Sequence, residues 1–217
     1  MGLNDIRKIA IGLAVLGGLF LPRMASAIVT GFTLSNASFT VTNGQFSTIG
    51  NFNISGGSVT LQNTASSLVV GGSWTYTAGS FNAGTSSVTF NATAAGMNIT
   101  TGGIPFYMVQ FNGTGGVWTL QDKMTVTSTM TLTAGTLNAN TANTGIVLNG
   151  NWTGAGGGVL IGTMSLTAAI PQTINVAGQS DSQLVLIDSN TSVGAGITFA
   201  SSVTLSMLSI PLGMLRF

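Results

Sequence analysis

Two phrases in this chain nearly repeat each other across a long gap. "LVVGGSWT" (Leu68–Thr75) returns as "IVLNGNWT" (Ile146–Thr153), and Trp74 falls on Trp152. The same offset lays the stretch Ser47–Thr75 on Thr125–Thr153 without a gap. Phe52 meets Met130, Ile54 meets Leu132, Gly57 meets Gly135 and Val59 meets Leu137. With small changes of spacing the match continues. "MNIT" (Met97–Thr100) meets "QTIN" (Gln172–Asn175), and "VQFN" (Val109–Asn112) meets "VLID" (Val185–Asp188). "TLTAGTL" (Thr131–Leu137) meets "SIPLGML" (Ser209–Leu215). Apolar positions that hold register over so long a stretch point to a fold built by repetition.

The repeated material is strand and turn vocabulary. "FTL" (Phe32–Leu34), "FTV" (Phe39–Val41), "VTL" (Val59–Leu61), "VTF" (Val88–Phe90), "WTL" (Trp118–Leu120), "MTL" (Met130–Leu132) and "VTL" (Val203–Leu205) share one form. Each puts two apolar side chains on one face of a strand and a hydroxyl on the other. Gly- and Asn-rich pieces such as "SGG", "AGT" and "NGTGG" separate them and supply the turns. Disorder would require low hydrophobicity and high net charge. This chain has 44% hydrophobic residues and a net charge of +1, so it folds.

The expected fold is all-β: a right-handed parallel β-helix, or β-solenoid, preceded by a cleavable signal-peptide helix. Residues 68–145 and 146–217 form the two units of the repeat, with a partial copy before residue 68. The stretches Leu68–Thr85, Ser86–Phe106, Tyr107–Ser128 and Thr129–Gly145 each have the size of a single coil. Parallel crossovers set the expected hand. A β-sandwich is the competing architecture, but it does not explain a shared register over this distance.

The N-terminus reads as an export leader over residues 1–27. Arg7 and Lys8 precede the apolar run Ile9–Leu21, Pro22 breaks it, and Ala25 and Ala27 provide the small residues of a cleavage site. Residues 28–217 are then the mature solenoid domain, secreted or at the cell surface, with no transmembrane helix after cleavage. The apolar run itself is too short for a spanning helix of about 20 residues.

Composition removes most chemistry. The chain has no His, no Cys and no Glu. A general-base histidine and a thiolate nucleophile are therefore absent, and disulfides play no part. After the leader only Asp122, Lys123, Asp181, Asp188 and Arg216 carry side-chain charge, too few for a nucleic-acid footprint. Asp181 and Asp188 are the one carboxylate pair a glycosidase reading could use, and ordinary turn residues are the simpler reading. Asp122 beside Lys123 reads as a surface pair at a turn. Trp74, Trp118 and Trp152 invite sugar stacking, but two of them occupy matching repeat positions, which favours packing. No enzyme, metal or cofactor is expected.

The phrasing "VGGSWTYTAGSFNAGTSSVTFNAT" (Val70–Thr93) followed by "VQFNGTGGVWTLQDKMTVTSTMTLTAGTLNA" (Val109–Ala139) resembles the repeat units of large secreted bacterial surface proteins, adhesin-like or autotransporter-passenger-like. That resemblance covers about Leu68 to Phe217 and implies a β-helical stalk or adhesive surface outside the cell. The expected function is an exported structural or adhesive surface module, as a fragment of a longer protein or as a stacking fibre subunit. A carbohydrate-binding or carbohydrate-active β-helix is the alternative. Expected partners are surface glycans and a second copy joined through the C-terminal coil, where Arg216 is the only charge to guard an open strand edge.

Overall fold

The computed structural model describes residues 26–140, 144–176, 184–188, 196–210 and 214–216. Residues 1–25, which hold most of the expected leader and Ala25, lie outside them, as do Asp181 and Phe217. The described chain is all-β, and every strand pairing is parallel.

The strands wind coil upon coil. The first coil holds β1 (Ser26–Val29), β2 (Phe32–Leu34) and β3 (Ser38–Val41). The second holds β4 (Gln45–Thr48) and the long β5 (Phe52–Leu61), and the third β6 (Ser67–Val70) and β7 (Trp74–Asn82). β8 (Ser87–Phe90) and β9 (Met97–Thr100) make the fourth. β10 (Met108–Leu120) and β11 (Lys123–Val126) make the fifth, and β12 (Met130–Ala139) and β13 (Gly145–Leu148) the sixth. β14 (Trp152–Leu166) runs round the whole seventh coil. Beyond it lie β15 (Gln172–Asn175), β16 (Leu184–Asp188), β17 (Gly196–Phe199), β18 (Met207–Ser209) and β19 (Met214–Arg216).

The pairings resolve into three stacks, which are the faces of the solenoid. Face A runs β1–β4–β6–β8, through the starts of β10, β12 and β14, to β15, β17 and β19. Face B runs from β2 through the starts of β5 and β7 to β9, then the ends of β10 and β12 and the middle of β14. Face C runs from β3 through the ends of β5 and β7, and later through β11, β13, the end of β14, β16 and β18. Long strands bend from one face to the next at bulges, seen as register shifts near Ser55 in β5 and Asn112 in β10.

Alternation makes the core. Inward residues of all three faces form one apolar cluster from Phe32 to Ile197, while the intervening Thr, Ser and Asn face outward. Stacking rung on rung brings like side chains into columns about 4.8 Å apart. Phe32 stacks on Phe52 (4.7 Å between centroids, 14° between planes) and Phe52 on Trp74 (5.0 Å, 13°). Outside, polar ladders repeat the same logic. Asn63 Nδ2 donates to Asn43 Oδ1 at 2.7 Å, and the Thr131 and Thr153 hydroxyls bond at 2.9 Å.

The long-range sequence match recurs as strand bounds. β4, β5 and β6 fall on β11, β12 and β13 end for end, and β7 and β14 start at Trp74 and Trp152. Pairing recurs too: Phe52 lies under Trp74 as Met130 lies under Trp152. The faces do not recur. Trp74 stands on face B, in the series Phe32–Phe52–Trp74–Ile99. Trp152 stands on face A, in the series Val109–Met130–Trp152–Ile174. From Trp74 to Trp152 the chain visits faces C, A, B, C, A, B, C, A, B, C and A, eleven steps on a three-step coil. The repeat is therefore three coils and two thirds, and its second copy is turned by one face.

This corrects two sequence expectations. The tryptophans share a local pairing but not one position of the coil. The expected coil Thr129–Gly145 also closes too early: the coil that opens at Met130 closes under Trp152. The cause is that a unit of the repeat does not end where a coil ends, because eleven steps do not divide by three. A further expectation fails at "VTL" Val203–Leu205, which forms no strand and carries only a bridge at Thr204; the described strands of that coil are β17 and β18. The expected cleavage after Ala27 passes through β1, whose Ser26 and Ala27 pair with Gln45 and Phe46.

Candidate functional site

The fourth coil is where the chain departs from its own pattern. Face C there carries no strand. "TGGIPF" (Thr101–Phe106) crosses it as a loop, touching the stack through one bridge, Phe106 to Val126. Pro105 has no N–H to give a ladder, and Gly102 and Gly103 take positive φ of 62° and 80°. Phe106 fills the inward place that a strand would have filled. It is fully buried, with its ring 5.1 Å from Trp74 and 5.9 Å from Phe81.

Asp122 pins this loop from the coil that follows. Its Oδ1 accepts from Thr101 N (2.8 Å) and Thr101 Oγ1 (2.9 Å), and its Oδ2 accepts from Gly102 N (2.6 Å). The expectation of a simple Asp122–Lys123 surface pair is thus replaced by a half-buried carboxylate bound to backbone. Hydrogen bonds to a charged acceptor contribute about 1.5–3 kcal/mol. Asp122→Ala should destabilise by about 2–3 kcal/mol and admit protease cleavage near Gly102–Gly103. Asp122→Asn, which keeps an acceptor, should lose less. Equal resistance of wild type and Asp122→Ala to limited proteolysis would refute the pin.

The other candidate residues are interior. Trp74, Trp118 and Trp152 are all 0% exposed, so none offers a ring to a ligand at the surface. Their three indole Nε1 atoms are buried without a hydrogen-bond partner, so these rings pack in the apolar column and present no polar group to a site. Asp188 ends the inward-facing row Leu184–Leu186–Asp188 of β16 and is 1% exposed. Asp181, its partner in the carboxylate-pair reading, lies outside the described residues. Gln172, which sequence alone marks only as part of the repeat, is buried and braces a corner. Its Nε2 donates to the carbonyls of Leu148 (3.0 Å) and Gly150 (2.5 Å), and its Oε1 accepts from Ala168 N (3.1 Å).

One shallow depression of about 320 Å³ opens where β10 and β12 turn from face A to face B. Gly116, Gly135, Val159 and the hydroxyl residues Thr114 and Thr136 line it. The buried Trp118 ring lies beneath: a Cβ on Gly116 would come within 2.7 Å of its Cη2. The lining carries no charge. Among the described residues no group of three or more His, Cys, Asp or Glu side chains converges to hold a metal ion. No described helix is long and apolar enough to cross a membrane. No family model matches the chain, and neither the curated proteins nor the solved structures contain a match.

Proposed function

We propose that the chain is an exported structural module of the cell surface, a rigid spacer rather than a laterally adhesive one. The observation that carries this reading is the turn of the repeat by one face. A side surface that grips a ligand needs its recurring residues in line along one face. Here the outward counterparts diverge: Asn53 and Thr75 stand on face B, and their counterparts Thr131 and Thr153 on face A. What recurs is the means of stacking: inward apolar columns and glycine corners. The mechanism is passive. Parallel ladders and a continuous dry core hold the coils at about 4.8 Å each, and neighbour-to-neighbour contacts carry the stability.

The bacterial surface-protein resemblance and the leader-like N-terminus support export. The carbohydrate alternative rests on indoles that are buried and on a carboxylate pair of which Asp188 faces inward. Expression of the full chain in a bacterial host, followed by fractionation and N-terminal sequencing, tests the reading. The expected result is a protease-accessible protein outside the cytoplasm that begins at Ile28. A cytoplasmic chain that retains Met1 would overturn it.

A further inference from the structure

The first strand of the solenoid contains the bond at which the leader is expected to be cut. β1 lies on β4 residue for residue: Ser26 on Gln45, Ala27 on Phe46, Ile28 on Ser47 and Val29 on Thr48. The Ala27–Ile28 bond is the middle of that ladder. Just past it, Ile49 N donates to Val29 O (2.9 Å) and Phe32 N to Asn51 O (2.9 Å), which holds the chain to the second coil. Phe46 ties the same two coils from inside: its ring lies 5.3 Å from Phe32 and 4.7 Å from Phe39. A peptidase that reads the small residues Ala25 and Ala27 needs this stretch loose and extended in its own cleft. Cleavage within a folded segment waits for that segment to open locally. The ladder and the peptidase therefore compete for the same backbone.

We infer that docking of β1 on β4 shuts the cleavage site, so that the leader leaves only chains whose first two coils have not yet closed. The window is short. β4 ends at Thr48, and coils that contact only their neighbours can close as they emerge, N-terminal part first. A chain cut within the window begins at Ile28 and keeps only Ile28 and Val29 of β1. A chain that closes first keeps its leader. The first rung is thus a timer, and the race between cutting and closing sets how much of the protein is freed from its leader. This deepens the export reading above and rests on it: it says when the leader is removed.

Purified full-length chain and purified bacterial signal peptidase in detergent test this. One sample is refolded before the peptidase is added, and the other is diluted from urea directly into the peptidase. The expected result is cleavage between Ala27 and Ile28 in the diluted chain and at least tenfold slower cleavage in the refolded one, about 1.4 kcal/mol of local opening. Phe46→Ala, refolded with an unchanged circular-dichroism spectrum, should be cut faster than refolded wild type, because it loosens the first coil and leaves Ala25 and Ala27 intact. If that variant misfolds, refolded wild type in a urea series below its unfolding midpoint takes its place, and its cleavage should quicken as urea rises. Equal rates for refolded and diluted wild type would overturn the inference and leave the leader. A folded Phe46→Ala cut no faster than wild type, or a rate indifferent to urea, would overturn it too. A diluted chain that is never cut would sink the leader reading itself.

Discussion

Trp74→Ala should cost about 3–5 kcal/mol, the usual range for removing a large buried aromatic side chain. Trp74 closes the aromatic column Phe32–Phe52–Trp74, and it also meets Phe81 at 5.1 Å and Phe106 at 5.1 Å, both edge-on. Its loss therefore uncouples three rungs and the loop that crosses the fourth coil. At this chain length the cost corresponds to a fall in Tm of about 10 °C. Because solenoid coils contact only their neighbours, the loss of hydrogen-exchange protection should centre on β5, β7 and Phe106 and spare β14. Trp74→Phe should cost about half as much. It keeps the stack on Phe52 and removes a buried indole N–H that has no hydrogen-bond partner, a group whose burial costs about 1–3 kcal/mol. Equilibrium unfolding of the two variants checks this; a Phe variant as unstable as the Ala variant would refute it.

Much of this is legible in the sequence. The apolar–Thr–apolar runs are strands at six of their seven places, and the coil starts expected at Leu68, Ser86 and Tyr107 fall within a residue of β6, β8 and β10. Trp74 and Trp152 are core residues, as their shared register implied. What the letters hide is the face. Pairing offsets are unequal: Ile146 pairs with Met164, but Trp74 reaches as far along the chain as Ile99, so coils cannot be counted by length. All three faces also use the same alternation of apolar and hydroxyl residues, so a strand carries no mark of where it stands. The role of Asp122 is hidden for another reason: its partners are backbone groups of the preceding coil, and only the stacking brings them near. Val203–Leu205 has the strand pattern but not the strand, because pairing on the neighbouring rung decides where a strand forms.

Gly135→Ala should destabilise by about 2–5 kcal/mol, the sum of two causes. The residue sits at φ +85°, where an L side chain costs about 1–2 kcal/mol. A Cβ there would also lie 2.6 Å from Gly113 O, 2.6 Å from Trp118 Cζ3 and 2.7 Å from Gly116 O. Overpacking of this kind costs about 1–3 kcal/mol more, and the obstacles are backbone and a buried ring, which have little room to yield. Gly103→Ala supplies the control. Its φ of +80° is nearly the same, but nothing lies within 4 Å of its Cβ, so only the strain of about 1–2 kcal/mol remains. Gly57, the repeat counterpart of Gly135, has φ +74°, and a Cβ there would run into the Ala37 carbonyl. Gly57 turns the chain from face B to face C, and Gly135 turns it from face A to face B. If Gly57→Ala and Gly135→Ala lose similar stability and Gly103→Ala clearly less, the requirement belongs to the strand-to-strand step and not to any one face. A strict dependence on face, with one of the pair tolerant, would refute that and with it the interchangeability on which a repeat of eleven steps depends.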